Sequence, residues 1–244
     1  MQPLLPLEIR ARIYVELDDI DLAEDISEVF WALCPDYFRN LTIGHVSLCE
    51  ETMRVNRFIR LYPCSGNFVE NLTIVTDYIS QRAVDQFLKR FPSHRKLREL
   101  SLIYSFINPK HFKVENLRFA RSLESVVTTS PDLTRLSFLG LQPSPALITA
   151  CNDKLTRLDI GHIHIITDDS RFHLPSVLEI LSFTPWAATL FSGSPPPTLR
   201  RIILSIDHHR EMEYWNDCYA FLSKCTSLLS LCIENDCGFF FFFR

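Results

Sequence analysis

The chain has 244 residues, of which 47% are hydrophobic and 22% charged, and its formal net charge is −4. This length fits one large domain with a sizeable core, and the acidic balance argues against a protein that binds nucleic acid through its phosphates. The six glycines form no Gly-rich phosphate-binding loop.

The first twenty residues contain Glu8, Arg10 and Arg12 among their apolar positions, so the sequence predicts no secretory signal. No apolar stretch approaches the ~20 residues that span a bilayer. The eight cysteines form no CxxC pair. We therefore expect reduced thiols in a cytoplasmic or nuclear protein that does not insert into membranes.

The N-terminal region predicts amphipathic helices. Pro6 suits the first turn of a helix, and Ile9, Ile13 and Leu17 follow at intervals of four on one stripe. The same spacing of apolar residues predicts further helices over residues 22–33 and 52–62.

The motif Leu-x-x-Leu-x-apolar recurs along the chain, with Val69 in place of the first leucine in one copy and Ile202 in place of the second in another. Its copies start at residues 69, 97, 133, 155, 178, 199 and 228, and a weaker copy starts at Phe38. The shortest spacings, of 21, 22 and 23 residues, match a leucine-rich repeat of about 20–29 residues. Pro92, Pro131 and Pro175 each fall shortly before a copy, where a connecting segment would end.

These copies predict an α/β fold, an irregular leucine-rich-repeat solenoid with parallel strands and with helices on its convex side. Helices are predicted over 79–91, 115–127 and 210–225, and a turn or 3₁₀ segment in the shorter gaps. Residues 1–36 form an N-terminal helical segment in this scheme, and residues 37–238 form the solenoid. The tail of residues 239–244, with five consecutive phenylalanines, is expected to be disordered.

Alternation along each strand predicts that the first, fourth and sixth places point inward and the third, fifth and seventh outward. The third places are Asn71, Glu99, Arg135, Arg157, Ile180, Arg201 and Ser230. The fifth places are Thr73, Ser101, Ser137, Asp159, Ser182, Ile203 and Cys232. Arginines beside small polar side chains can bind a carboxylate or phosphate, so an acidic or phosphorylated segment is one candidate ligand. The alternative is a solvated sheet face.

The opening Leu5-Pro6-x-Glu8-Ile9-x-x-x-Ile13-x-x-x-Leu17 resembles the start of an F-box, and with the repeats behind it the chain is similar to fungal F-box/leucine-rich-repeat-like proteins. The box is shorter than usual, and residues 28–35 only loosely match its later part. The resemblance implies a substrate receptor of a cullin–RING ubiquitin ligase, monomeric outside that complex. Leu5, Pro6, Ile9 and Ile13 would contact a Skp-type adaptor.

In this interpretation Arg135, Arg157, Arg201, Ser137, Asp159 and Ser182 would bind the protein substrate. The alternative is a leucine-rich-repeat interaction module without ligase association, whose N-terminal helices cap the solenoid.

Catalytic and metal motifs are weak, so we expect neither an enzyme nor a bound cofactor. His162 and His164 would share a strand face near Asp159 and Asp168, but no further ligand is obvious. The pair His208-His209 is equally weak. An intracellular hydrolase stays open as a third hypothesis, because a triad can assemble from distant residues.

Overall fold

The structure is a computed structural model. It describes residues 39–43, 69–76, 88–89, 96–104, 117–140, 142–161, 171–206, 214–235 and 240–243. The helices predicted over 5–17, 22–33 and 52–62 lie outside these ranges, as does most of the one predicted over 79–91.

The described residues form an α/β fold whose main sheet has eight parallel strands in chain order and one antiparallel strand at the end. The sheet order is β1-β2-β3-β4-β5-β7-β9-β10-β11, and β6 and β8 form a separate parallel pair. The strands are β1 (Asn40–Ile43), β2 (Asn71–Thr76), β3 (Glu99–Tyr104), β4 (Arg135–Leu139), β5 (Arg157–Ile160), β6 (Phe172–His173), β7 (Ile180–Phe183), β8 (Phe191–Ser192), β9 (Arg201–Ile206), β10 (Ser230–Asn235) and β11 (Phe240–Phe243).

Helical segments connect several of these strands. They are α1 (Leu117–Thr129), α2 (Pro145–Thr149), a 3₁₀ helix (Pro185–Leu190) and α3 (Trp215–Leu222). Helices predicted at 115–127 and 210–225 are thus confirmed with shifted ends, and the short gaps hold the short α2 and the 3₁₀ helix. The start of α2 is local in origin: Ser144 caps it by accepting a hydrogen bond from the Leu147 amide, and Pro145 fits its first turn.

Burial along the strands follows the predicted alternation. The first, fourth and sixth places of the copies that start at residues 69, 97, 133, 155, 178 and 199 are all at most 2% exposed. In the last copy Leu228, Leu231 and Ile233 are only partly buried. A one-residue slip would turn this apolar set to the opposite face, so the buried face determines the register of each strand.

The junctions between successive strands repeat one backbone hydrogen-bond arrangement. The carbonyl oxygen of Arg98, at the second place of its copy, accepts bonds from the amides of Thr134 and Arg135 at 2.9 and 3.0 Å. The same double bond recurs on the carbonyls of Arg39, Glu70, Thr134, Thr156, Glu179 and Arg200, with distances of 2.7–3.1 Å. Successive strands therefore begin at equivalent residues of the motif, directly beside each other in the sheet.

The connecting segments pack over the buried face of the sheet. Leu123, Val126 and Val127 of α1 belong to the same buried cluster as the strand leucines. In this layer α1 contacts α2, and α3 contacts the 3₁₀ helix. Phe183 lies edge-to-face against Phe221 of α3, with ring centroids 5.6 Å apart, and joins the last helix to the sheet.

The C-terminal phenylalanines differ from the sequence prediction. Phe240–Phe243 form β11, which pairs antiparallel with β10 between Leu231 and Glu234, whereas we predicted a disordered tail. Phenylalanine favours strands, and β10 would otherwise present unpaired amide and carbonyl groups along its edge. Pairing with the tail satisfies these groups.

Candidate functional site

The structure aligns the third and fifth places in the register that the sequence predicts. Arg135 pairs with Arg157 across β4 and β5, and Ser137 pairs with Asp159, which pairs with Ser182. Arg201 lies apart, because Ile180 of β7 stands between it and Arg157. Two strand spacings, roughly 10 Å, separate these two backbones. Five of the six predicted substrate-binding residues are therefore neighbours, and the sixth is not.

Arg135 and Arg157 are held by acidic residues of the same face. The Nε of Arg135 donates to Asp159 Oδ2 at 2.9 Å, and its Nη1 donates to Glu99 Oε2 at 3.3 Å. The Nε of Arg157 also donates to Asp159, at 3.1 Å to either oxygen. We call these four residues the ion-pair network. Two arginines and two carboxylates give it a formal charge of zero.

This network pairs Arg135 and Arg157, two of the three arginines predicted to bind an acidic or phosphorylated segment, with carboxylates of the chain itself. Asp159 is the least exposed member, with a side chain 14% exposed, while both arginine side chains are 33% exposed. Asp159 was predicted as a site residue, but as a small polar contact for a ligand. The structure makes it the acceptor shared by two arginines. An incoming carboxylate or phosphate would compete with Asp159 and Glu99.

Arg201 is the exposed arginine of the predicted three. Within the ranges that the structure describes, its side chain makes no ion pair, and its strand neighbours are Ile180 and Ser230. Of the three, it is the guanidinium most available to an anion.

The fifth places carry hydroxyl groups over much of the sheet. Thr73, Ser101 and Ser137 are in register on β2, β3 and β4, and all three are partly exposed. We call these three residues the hydroxyl row. They lie beside the third places on the same face, two residues further along each strand.

Two fifth places are buried although they stay in register with the outward row. Ile203 is 8% exposed and Cys232 is 2% exposed. Isoleucine and cysteine are both favourably buried. Their apolar character distinguishes them from the serines of the same row. The polar face therefore does not continue across β9 and β10 at this level.

The seventh places of β2, β3 and β4, which follow the third and fifth places along the outward face, carry apolar side chains. Val75, Ile103 and Leu139 are in register on β2, β3 and β4, and Leu139 is 42% exposed. We call these three residues the apolar stripe. Extending the alternation by one place, beyond the Leu-x-x-Leu-x-apolar motif, would have found it.

The stripe ends at Gly161, the seventh place of the next copy, whose amide donates to the Phe138 carbonyl at 2.8 Å. A Cβ at Gly161 would lie 2.5 Å from Leu139 Cδ1. The glycine thus leaves space for the Leu139 side chain to lie across β5.

Two cysteines of the described ranges, Cys151 and Cys225, have little nucleophilic character. Burial raises the pKa of the Cys151 thiol to about 12, and nearby Lys154 only partly opposes this effect. Burial also raises the pKa of Cys225 to about 11. A thiolate is the reactive and metal-binding form, so both residues are inert thiols near neutral pH.

Within the same ranges, no three His, Cys, Asp or Glu side chains lie close enough together to hold a metal ion. His162, His164, His208 and His209 lie outside the described residues, as do the predicted adaptor-binding residues Leu5, Pro6, Ile9 and Ile13.

No protein-family model and no curated protein sequence matches this chain. No helix among the described residues is both long and apolar enough to cross a membrane.

Proposed function

We propose that the chain is a leucine-rich-repeat solenoid that recognises a protein segment on the exposed face of its parallel sheet and carries out no catalysis. The observation that carries this proposal is the register. Eight strands in chain order place equivalent residues side by side, and the same double hydrogen bond recurs at seven junctions. In such an arrangement each unit buries its apolar side against its neighbours, and one broad face stays open.

The chemistry of that face supports binding. The ion-pair network, the hydroxyl row and the apolar stripe lie at successive levels along β2 to β5, from the third place to the seventh. Along β3 and along β4 a partner would meet charged, hydrogen-bonding and apolar groups within about 13 Å, since four residues separate the third and seventh places. No cofactor is needed for this role.

We further propose that the module is the substrate-recognition subunit of a cullin–RING ubiquitin ligase acting in the cytoplasm or nucleus. This step rests on the F-box-like residues 5–17. Leu5, Pro6, Ile9 and Ile13 would bind a Skp-type adaptor, and the sheet face would bind the substrate. An interaction module without ligase association is the alternative.

The test is co-expression of the full chain with a Skp-type adaptor, followed by affinity purification and measurement of the dissociation constant. The Pro6→Ala/Ile9→Ala double variant should weaken binding at least tenfold. Ile26→Ala is the matched control, because it removes an isoleucine of the next predicted helix that carries no predicted adaptor contact.

If the wild-type chain does not bind the adaptor, the ligase role is wrong, and the interaction module without ligase association is the hypothesis that remains. Deleting residues 1–20 separates the alternatives further. A capping role predicts a lower midpoint of thermal unfolding, whereas an adaptor-binding role predicts loss of adaptor with little change in that midpoint.

A further inference from the structure

The apolar stripe and the hydroxyl row lie directly beside each other on β2, β3 and β4. Each of these strands contributes one hydroxyl side chain and, two residues on, one apolar side chain of the same face. We infer that this surface binds a short, extended, uncharged segment of a partner protein that places an aliphatic or aromatic side chain on the apolar stripe. The inference rests on the proposed function and specifies its substrate class.

Charge is the first argument for an uncharged occupant. The ion-pair network has no net formal charge, and both arginines are bonded to Asp159. An acidic or phosphorylated segment would have to share these guanidinium groups with Asp159 and Glu99. Such a segment gains little Coulomb energy at this point on the face, because the positive charges are already compensated.

The second argument is the pairing of hydrogen-bonding and apolar groups. A peptide backbone needs polar partners when it loses water, and the hydroxyls of Thr73, Ser101 and Ser137 can both donate and accept hydrogen bonds. Apolar side chains of the same peptide need a surface that removes them from water. The hydroxyl row and the apolar stripe supply these two requirements side by side.

Size is the third argument. Three neighbouring strands cover two strand spacings, roughly 10 Å, which equals about three residues of extended chain. Leu139 is among the large apolar side chains most exposed in the described part of the chain. Its position over Gly161 extends the stripe toward β5 without an intervening side chain. The stripe therefore accommodates one or two anchoring side chains.

The experiment uses a phage-displayed library of random heptapeptides, selected on the immobilised full chain in 0.5 M NaCl and again in 0.05 M NaCl. Synthetic copies of the enriched peptides are then titrated against variants of the face. We expect enrichment of one or two large apolar residues among uncharged ones. The Leu139→Asp and Ile103→Asp variants should bind these peptides at least tenfold more weakly. Lys224→Met, at an exposed position just after α3, should bind them within twofold of wild type.

Leu139→Ser serves as a milder variant should Leu139→Asp perturb the fold. Circular dichroism verifies that both variants are folded. Acidic peptides that lose binding in Arg201→Ala but not in Leu139→Asp would overturn this inference and leave the proposed function standing. Peptides insensitive to every substitution on the face, or no enrichment at either salt concentration, would overturn both.

Discussion

Arg135 reaches across one strand spacing to place its Nε 2.9 Å from the Oδ2 of Asp159, the carboxylate that also accepts the Nε of Arg157. One acidic side chain on β5 therefore orients two arginines. Hydrogen bonds between charged groups are shorter and stronger than those between neutral groups, and the shallow burial of Asp159 protects them in part from solvent. This part of the face is consequently a structured surface without net formal charge, whereas Arg201 on β9 stays exposed.

Replacing Asp159 with Asn should show that this carboxylate compensates the charge of the two arginines. The Asp159→Asn variant gives the network a formal charge of +1, and we expect the free energy of unfolding to fall by about 1 kcal/mol, since the pairs are partly exposed. Affinity for a phosphoserine peptide should rise, and the gain should disappear in 0.5 M NaCl. Urea denaturation and fluorescence titration measure the two effects.

Asp132→Asn is the matched control, because Asp132 is exposed in the turn before β4. It should leave both quantities unchanged within about 0.5 kcal/mol. A phosphopeptide affinity that is equal in wild type and Asp159→Asn would contradict the shared-acceptor interpretation.

The rows on the sheet face were predictable because their cause is local and repeated. Leu100, Leu136 and Leu158 each occupy the fourth place of the repeated motif. Their burial determines that the residues just before and after them on the strand point outward. Successive copies then stack in register, so Arg135 beside Arg157 follows from the sequence alone. The helices α1 and α3, in two of the longer gaps, were predictable from the local spacing of their apolar residues, with uncertain ends.

What could not be predicted depends on contacts between separate copies. The pairing of Arg135 with Asp159 requires particular side-chain rotamers on two strands, which composition does not specify. The burial of Ile203 and Cys232 depends on what packs over the last strands. The double hydrogen bonds at the junctions are made by backbone atoms and leave no residue pattern to recognise.

Lys154 should stabilise the end of α1. Its ammonium donates to the carbonyl oxygens of Val127 and Ser130 at 2.6 and 2.8 Å. A cation at the C-terminal end of a helix is favourable, and both carbonyls belong to buried residues. Lys154→Met should therefore lower the free energy of unfolding by about 1–2 kcal/mol in urea denaturation.

Lys224→Met is the control for this change, because Lys224 is exposed just after α3. Its effect should stay within about 0.5 kcal/mol. Equal stabilities of the two variants would mean that the ammonium of Lys154 contributes nothing beyond a surface charge.

Cys151 should make stability depend on pH in the alkaline range. Its pKa is raised to about 12 in the folded chain from an ordinary value of 9.0, because burial disfavours the thiolate. The folded state thus holds this proton more tightly than the unfolded state. Its contribution to stability is complete below pH 9.0 and is lost progressively as the pH rises toward about 12.

The measurement is urea denaturation between pH 8 and 11 for wild type and Cys151→Ala. Wild type should lose stability more steeply than the variant over this range, even though the variant starts lower because of its cavity. Parallel pH dependences would show that the thiol titrates in the folded state as it does in the unfolded one.

The junction hydrogen bonds should be sensitive to proline and insensitive to side-chain truncation. The amide of Glu179 donates to the Thr156 carbonyl at 2.9 Å, while its side chain is exposed. Glu179→Pro removes this donor and brings a ring carbon against the carbonyl oxygen, so the free energy of unfolding should fall by about 2 kcal/mol relative to Glu179→Ala. Glu179→Ala itself should lie within about 0.5 kcal/mol of wild type.

Hydrogen exchange then locates the effect: the amides of Arg200 and Arg201 bond to the Glu179 carbonyl at the next junction and should lose protection together. Retained protection at Arg200 and Arg201 in the proline variant would show that neighbouring junctions are energetically independent.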